Sequence, residues 1–229
     1  MCGRYFRIED KQAIAEHFQA IASGDEALGP EYNIAPGTVQ PVIRQKRDAS
    51  VRELVGMRWG LIGFGSSGPD PKRATFNARS ENLETSSLWR GPVHKRRCLV
   101  PVSGFYEWRK SDKAPFRFTL RDQPLYALAG LWDAWKDPAG HWLQSFTIIT
   151  VGANPFMRPV HDRMPAILGP GDYDAWLDRG ETGGAPVHLL LPFPGDTLQM
   201  QAANPQVGNV RNQGPGLLNP LSARAAEAQ

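Results

Sequence analysis

The chain has 229 residues, 41% hydrophobic and 21% charged, with a formal net charge of +3. That length suffices for one full hydrophobic core, and the composition is too ordinary for wholesale disorder. No run approaches the ~20 apolar residues of a membrane span and no charged-then-apolar leader opens the chain, so the expected location is cytoplasmic. Cys2 and Cys98 are the only cysteines, which excludes a disulfide framework and a Cys-x-x-Cys metal site. The five histidines show no ligand spacing, so no metal and no cofactor are expected.

Gly and Pro number 23 and 20, a share that implies many turns between short elements and favours strands over long helices. Ile14, Phe18 and Ile21 fall at helical spacing after the charged Glu9, Asp10 and Lys11, which predicts an amphipathic helix over 8–22. Residues 31–37 are turn-rich, 39–44 and 52–60 have strand character, and the Gly-rich 63–73 is a loop. Strands are then predicted over 98–102, 104–108, 116–120, 126–132 and 145–151, and a short helix over 172–177. Residues 222–229 carry no apolar stripe and are expected to form a frayed tail beyond a single domain, 1–221. The predicted class is α+β: a mostly antiparallel, barrel-like β-sheet core with a few peripheral helices.

Chemistry concentrates at the start, Met1-Cys2-Gly3-Arg4-Tyr5. Removal of Met1 would give Cys2 both an α-amine and a thiol. An α-amine titrates near ~7.7–8.0 against ~10.4 for lysine, so far more of it is neutral and nucleophilic at pH 7. It can attack an aldehyde, and the thiol one carbon away can then close a five-membered thiazolidine on the imine. Without such processing, Cys2 is a small buried residue at an ordinary start. Cys98, within Cys98-Leu99-Val100-Pro101-Val102, reads as a buried structural thiol.

Basic residues come in short groups: Arg44/Lys46/Arg47, Lys72/Arg73, His94/Lys95/Arg96/Arg97 and Arg109/Lys110. Several lie beside Trp59, Trp89 or Trp108, a mixture that suits the phosphates and bases of single-stranded nucleic acid. Solvated charges over core tryptophans would give the same pattern.

Five segments in order resemble the SOS response-associated peptidase (SRAP) family of abasic-site processing proteins. They are Met1-Cys2-Gly3-Arg4-Tyr5, Tyr32-Asn33-Ile34-Ala35-Pro36-Gly37, Thr75-Phe76-Asn77-Ala78-Arg79-Ser80-Glu81, Arg97 through Trp108 with its Gly104-Phe105-Tyr106-Glu107-Trp108 end, and His161-Asp162-Arg163-Met164-Pro165. The likeness covers most of 1–213. It implies that Cys2 captures the aldehyde of an abasic site in single-stranded DNA as a reversible thiazolidine crosslink. By the same resemblance Glu107 moves protons near the amine, His161 protonates the sugar oxygen, and Asn77 holds cysteine and sugar in register. Arg79 and Arg163 are expected to grip flanking phosphates, with Arg4, Asn33, Trp59 and Trp108 as further DNA contacts. The partner expected is abasic single-stranded DNA, bound by a monomer associated with a bacterial nucleoid. Two other readings stay open: an N-terminal-nucleophile peptidase that removes its own Met1, and a non-catalytic binder of single-stranded DNA.

Overall fold

The computed structural model describes residues 2–24, 28–46, 51–70, 74–180 and 184–219. In chain order its elements are β1 (Tyr5–Arg7), α1 (Lys11–His17), β2 (Ala20–Ala22), β3 (Glu31–Ile34), β4 (Val39–Gln45), β5 (Arg52–Trp59) and β6 (Asn77–Arg79). Then come α2 (Arg90–Lys95), β7 (Arg97–Val102), β8 (Gly104–Trp108), β9 (Pro115–Leu120), β10 (Tyr126–Lys136) and β11 (Trp142–Gly152). Last are β12 (Arg163–Pro165), β13 (Ile167–Leu168), α3 (Tyr173–Leu177) and β14 (Leu198–Ala202), with short 3-10 turns between them.

Five strands close on themselves. β5, β4, β7, β10 and β11 pair antiparallel in that order, and β11 returns to β5 in parallel through Ser145 opposite Arg58 and Phe146 opposite Trp59. Closure removes the exposed sheet edge and leaves an interior that side chains must fill. β7 is therefore apolar on both faces, and all six of its residues are buried. Its outer face is covered by α3, whose Trp176 Nε1 donates to the Cys98 carbonyl at 3.0 Å. Arg97, almost wholly buried, donates to the carbonyls of Trp176 (2.6 Å), Val93 (2.7 Å), His94 (2.6 Å) and Asp178. Those bonds satisfy a cation that burial would otherwise penalise.

A second, fully antiparallel sheet runs β14-β9-β8-β1-β3. Gly104 pairs with Phe6 where two backbones and a ring converge: a Cβ there would lie 2.4 Å from Phe6 Cζ and 2.6 Å from the Phe118 carbonyl oxygen. Only glycine allows that approach. The Ser103 amide donates to the Phe6 carbonyl at 2.9 Å, tying β1 to the junction between β7 and β8. The barrel strand β7 and the second-sheet strand β8 thus converge on the chain's first residues.

The α+β, mostly antiparallel expectation is met, and the long apolar strands stand where periodicity placed them. The first helix is shorter than expected. It is capped by Asp10, whose carboxylate accepts from the Ala13 amide at 2.9 Å, and it ends at His17 because Gln19 adopts φ 51°. That left-handed residue turns Ala20–Ala22 against β5 in parallel and leaves Ile21 63% exposed, off the helical stripe it was assigned to. Residues 31–34, expected as turn, form β3; α2 and the short strands β6, β12, β13 and β14 were not foreseen. The predicted tail over 222–229 and residues 71–73 of the predicted loop lie outside the described residues.

Candidate active site

β6 pairs in parallel with β11, setting Asn77 opposite Ile148 and Arg79 opposite Thr150. β12 pairs on the other edge of β11, with Arg163 opposite Gly152. Both strands therefore gather at the C-terminal end of β11, where β8 brings Glu107 and the chain start brings Cys2.

Asn77 Nδ2 donates to the Cys2 carbonyl at 2.9 Å across 75 residues of sequence. The other half of that amide, Oδ1, is buried and has no hydrogen-bond partner. Cys2 is wholly buried and packs within the main core. Burial pushes its thiol far above the usual range, and the Glu107 carboxyl pushes it further, while the Arg4 amide acts against both. Glu107 is 4% exposed, and burial raises its carboxyl above the ordinary range, with Asp162 adding in the same direction. A carboxyl so placed keeps its proton closer to neutrality, as general acid catalysis requires.

His161 is largely enclosed. The Arg163 backbone amide donates to its Nδ1 at 2.9 Å. Asp162 Oδ1 also lies 3.0 Å from Nδ1, a contact that would need a proton on that nitrogen. The two cannot be satisfied together. Burial lowers the ring's pKa, so the neutral form prevails: Nδ1 accepts from Arg163 and Nε2 carries the hydrogen. Asp162 instead pairs with Lys110 through its other oxygen at 2.9 Å.

Arg163 makes a bidentate pair with Glu81 and donates to the Thr150 carbonyl at 2.6 Å. The Arg163 hydrogen bond holds the Glu81 carboxyl down at about 2. Strand pairing delivers Arg163 to Glu81 from 82 residues away. Arg79 is exposed and makes no ion pair among the described residues.

Three of the residues expected to contact DNA are engaged within the protein. Trp59 is wholly buried: its Nε1 donates to the Phe76 carbonyl at 2.8 Å and its ring packs against Tyr5, Phe76 and Phe146. It cannot stack on a base, but it pins the residue preceding Asn77. Asn33 is 1% exposed, accepts from Arg4 Nη1 at 2.8 Å, and donates to the carbonyls of Asn209 (2.9 Å) and Asn212 (3.1 Å). Arg4 also donates to the Val207 carbonyl at 2.7 Å, so both groups are engaged in a lock on the segment 205–213, to which sequence had assigned no role. Trp108 is half-buried beside that lock, with the Arg4 guanidinium 5.6 Å from its ring centre.

No group of three or more His, Cys, Asp or Glu side chains that could hold a metal occurs among the described residues. No helix among them is long and apolar enough to cross a membrane.

The sequence profile of the SOS response associated peptidase (SRAP) family matches residues 1–210. The chain is 33% identical over 225 residues to the Bacillus subtilis protein YoqW, named an abasic site processing protein, covering 95% of this chain and 99% of that one. It is 34% identical over 217 residues to the Xenopus tropicalis abasic site processing protein HMCES, covering 81% of this chain and 64% of the relative. A crystal structure of a Bacteroides thetaiotaomicron protein superposes with a TM-score of 0.83 at 23% identity, covering 96% of this chain and all of the other. One from Bordetella bronchiseptica gives 0.75 at 30% identity over 89% of this chain and all of its own length. With profile, relatives and fold in agreement over nearly its whole length, the chain belongs to the SRAP family.

Proposed function

We propose that the protein processes abasic sites in single-stranded DNA by forming a covalent thiazolidine link through Cys2 after Met1 is removed. The observation that carries this reading is the grip of Asn77 on the Cys2 carbonyl beside the buried Glu107 carboxyl. The hydrogen bond itself contributes about 0.5–1.5 kcal/mol, whereas an unsatisfied buried acceptor costs about 1–3 kcal/mol. Asn77 Oδ1 is such an acceptor, so the amide is poorly explained by folding alone and well explained by a hydroxyl that it receives from a ligand. The names of the relatives supply the substrate class.

The free amine adds to the aldehyde carbon of the ring-opened deoxyribose, giving a carbinolamine. Glu107 gives its proton to the departing hydroxyl, water leaves, and an iminium remains beside the Glu107 carboxylate. That carboxylate then takes the thiol proton as sulfur bonds to the iminium carbon, which restores the carboxyl and leaves the ring nitrogen neutral. One amine, one thiol and one aldehyde become a thiazolidine and one water. His161, as the neutral ring with hydrogen on Nε2, donates to the sugar oxygen that opens, and Asn77 orients Cys2. Arg79 meets a flanking phosphate directly, whereas Arg163 does so by exchanging Glu81 for phosphate oxygens. Trp108 offers a half-buried ring beside the path.

Complete burial of Cys2 bears on the peptidase alternative. A cysteine peptidase needs a thiolate, yet here burial holds the thiol protonated. In the proposed order the thiol acts second, and Glu107 has become a base by then.

The test is to mix methionine-free protein with an abasic oligonucleotide and examine the products by denaturing gel and intact mass. The expected product has the summed mass of protein and strand less one water and is absent in Cys2→Ala. Full-yield adduct from Cys2→Ala would refute the proposal.

A further inference from the structure

A second cluster of cations stands at the opposite end of the barrel from Cys2. A cavity of about 500 Å³ there is lined by Arg44, Glu53, Lys95, Arg96, Trp132 and Arg179, together with Gln144 of β11. Gln144 lies four residues before Ile148, the partner of Asn77, and eight before Gly152, the partner of Arg163. At ~3.3 Å per strand residue the cavity is therefore about 13–26 Å from the site described above.

Four cations face one carboxylate in that cavity. Glu53 is committed to Arg44, whose Nε lies 2.6 Å from Oε1. Arg96 is held by Asp133 at 3.1 Å. Lys95 is exposed and Arg179 half-buried, and neither makes an ion pair among the described residues. Arg44 Nη1 is buried without an acceptor, and its guanidinium lies 4.4 Å from the centre of the half-buried Trp132 ring. Cations without an ion pair among the described residues, beside a flat aromatic–guanidinium stack, match a phosphate joined to a base. The space itself falls within the ordinary range of ligand pockets.

We propose that this cavity is a second nucleotide site, in which Lys95 and Arg179 meet phosphate and the Trp132–Arg44 stack meets a base, and that it holds single-stranded DNA distal to the lesion. Only the identity of the strand rests on the abasic-site reading. An added anchor outside the reactive centre would raise affinity for long strands without touching the chemistry, because the second contact becomes intramolecular once the first is made.

The experiment compares parent protein with Lys95→Gln/Arg179→Gln, in the methionine-free form, on intact and abasic strands of two lengths. The short strand is a dinucleotide, whose single backbone step cannot extend from the reactive centre across the roughly 13 Å or more to the cavity, and the long strand has about ten times as many nucleotides. For the long intact strand the salt dependence of log K should flatten by about 1.4, the value for two lost contacts on a single strand. The short strand should bind both proteins alike, and both should give the same adduct yield on the short abasic strand. Lys95→Arg/Arg179→Lys should restore the slope. A free mononucleotide that binds the parent, loses affinity in the double variant and competes with the long strand supports the same site. An unchanged salt slope on the long strand overturns the proposal. Loss of short-strand adduct in the parent protein refutes the abasic-site reading instead, so the two failures are distinct.

Discussion

Cys2 and Cys98 are alike in almost every local measure. Both are wholly buried, both thiols are pushed far up by burial, and both carbonyls accept a hydrogen bond from a distant side chain, Asn77 Nδ2 at 2.9 Å and Trp176 Nε1 at 3.0 Å. They differ in what surrounds them. Cys98 sits mid-strand against Gly130, where a Cβ would come within 2.9 Å of its sulfur, and its donor Trp176 has no further polar atom to offer. Cys2 stands next to the chain start, near a carboxyl whose hold on its proton burial strengthens and beside an amide with an unspent acceptor. Burial alone therefore says nothing about reactivity; a nearby proton carrier and unused hydrogen-bonding capacity do.

The comparison breaks most sharply by exchanging the cysteines' fates. Cys2→Ala should abolish the adduct entirely, while Cys98→Ala should form it at parental yield and lose about 0.5–3 kcal/mol of stability in a denaturant titration. Next in size, Glu107→Gln should slow adduct formation by about 10²–10⁴-fold in a quenched time course, the usual worth of a general acid. Because burial raises the Glu107 carboxyl, the parental rate should persist above the ordinary carboxylate range and fall as pH rises through that raised value. Glu107→Gln should lack that limb.

Asn77→Ala should cost about 10²-fold in rate, the effect of losing registration at a reacting centre, with little change in affinity for intact strands. At the Cys98 end, Gly130→Ala should lower stability by about 1–3 kcal/mol through overpacking and leave the adduct yield unchanged. The smallest effect is on acid stability. Glu81 is depressed to about 2 in the folded chain against an ordinary 4.5, so its contribution is present above pH 4.5 and is lost as pH falls from there through 2. Glu81→Gln should flatten acid unfolding within that window and nowhere else; an unchanged acid limb would mean that the Arg163 pair contributes nothing.

Much of both sheets was legible because their longer strands are rich in apolar residues. β4, β5, β7, β8 and β9 fall within a residue of their predicted bounds, whereas β10 and β11 run on beyond theirs through the mixed sequences 133–136 and 142–144. β6 and β12 were not legible: three residues carry no periodicity, and each exists only because β11 offers it an edge. In the site, Cys2, Asn77, Glu107 and His161 came from motif order. The occupations of Trp59 and Asn33 did not, because a tryptophan beside arginines and an asparagine in a turn look the same whether they face DNA or the interior.

Sequence alone determined the short-strand class, the terminal aminothiol that Met1 removal would create, and the family, since these reside in composition and in ordered local motifs. The tertiary structure decided which groups meet: Asn77 with Cys2 across 75 residues, Arg163 with Glu81 across 82, and the β5–β11 pairing that closes the ring. Contacts between residues so far apart depend on strand register and burial summed over the whole core, and no local stretch of chain encodes that sum.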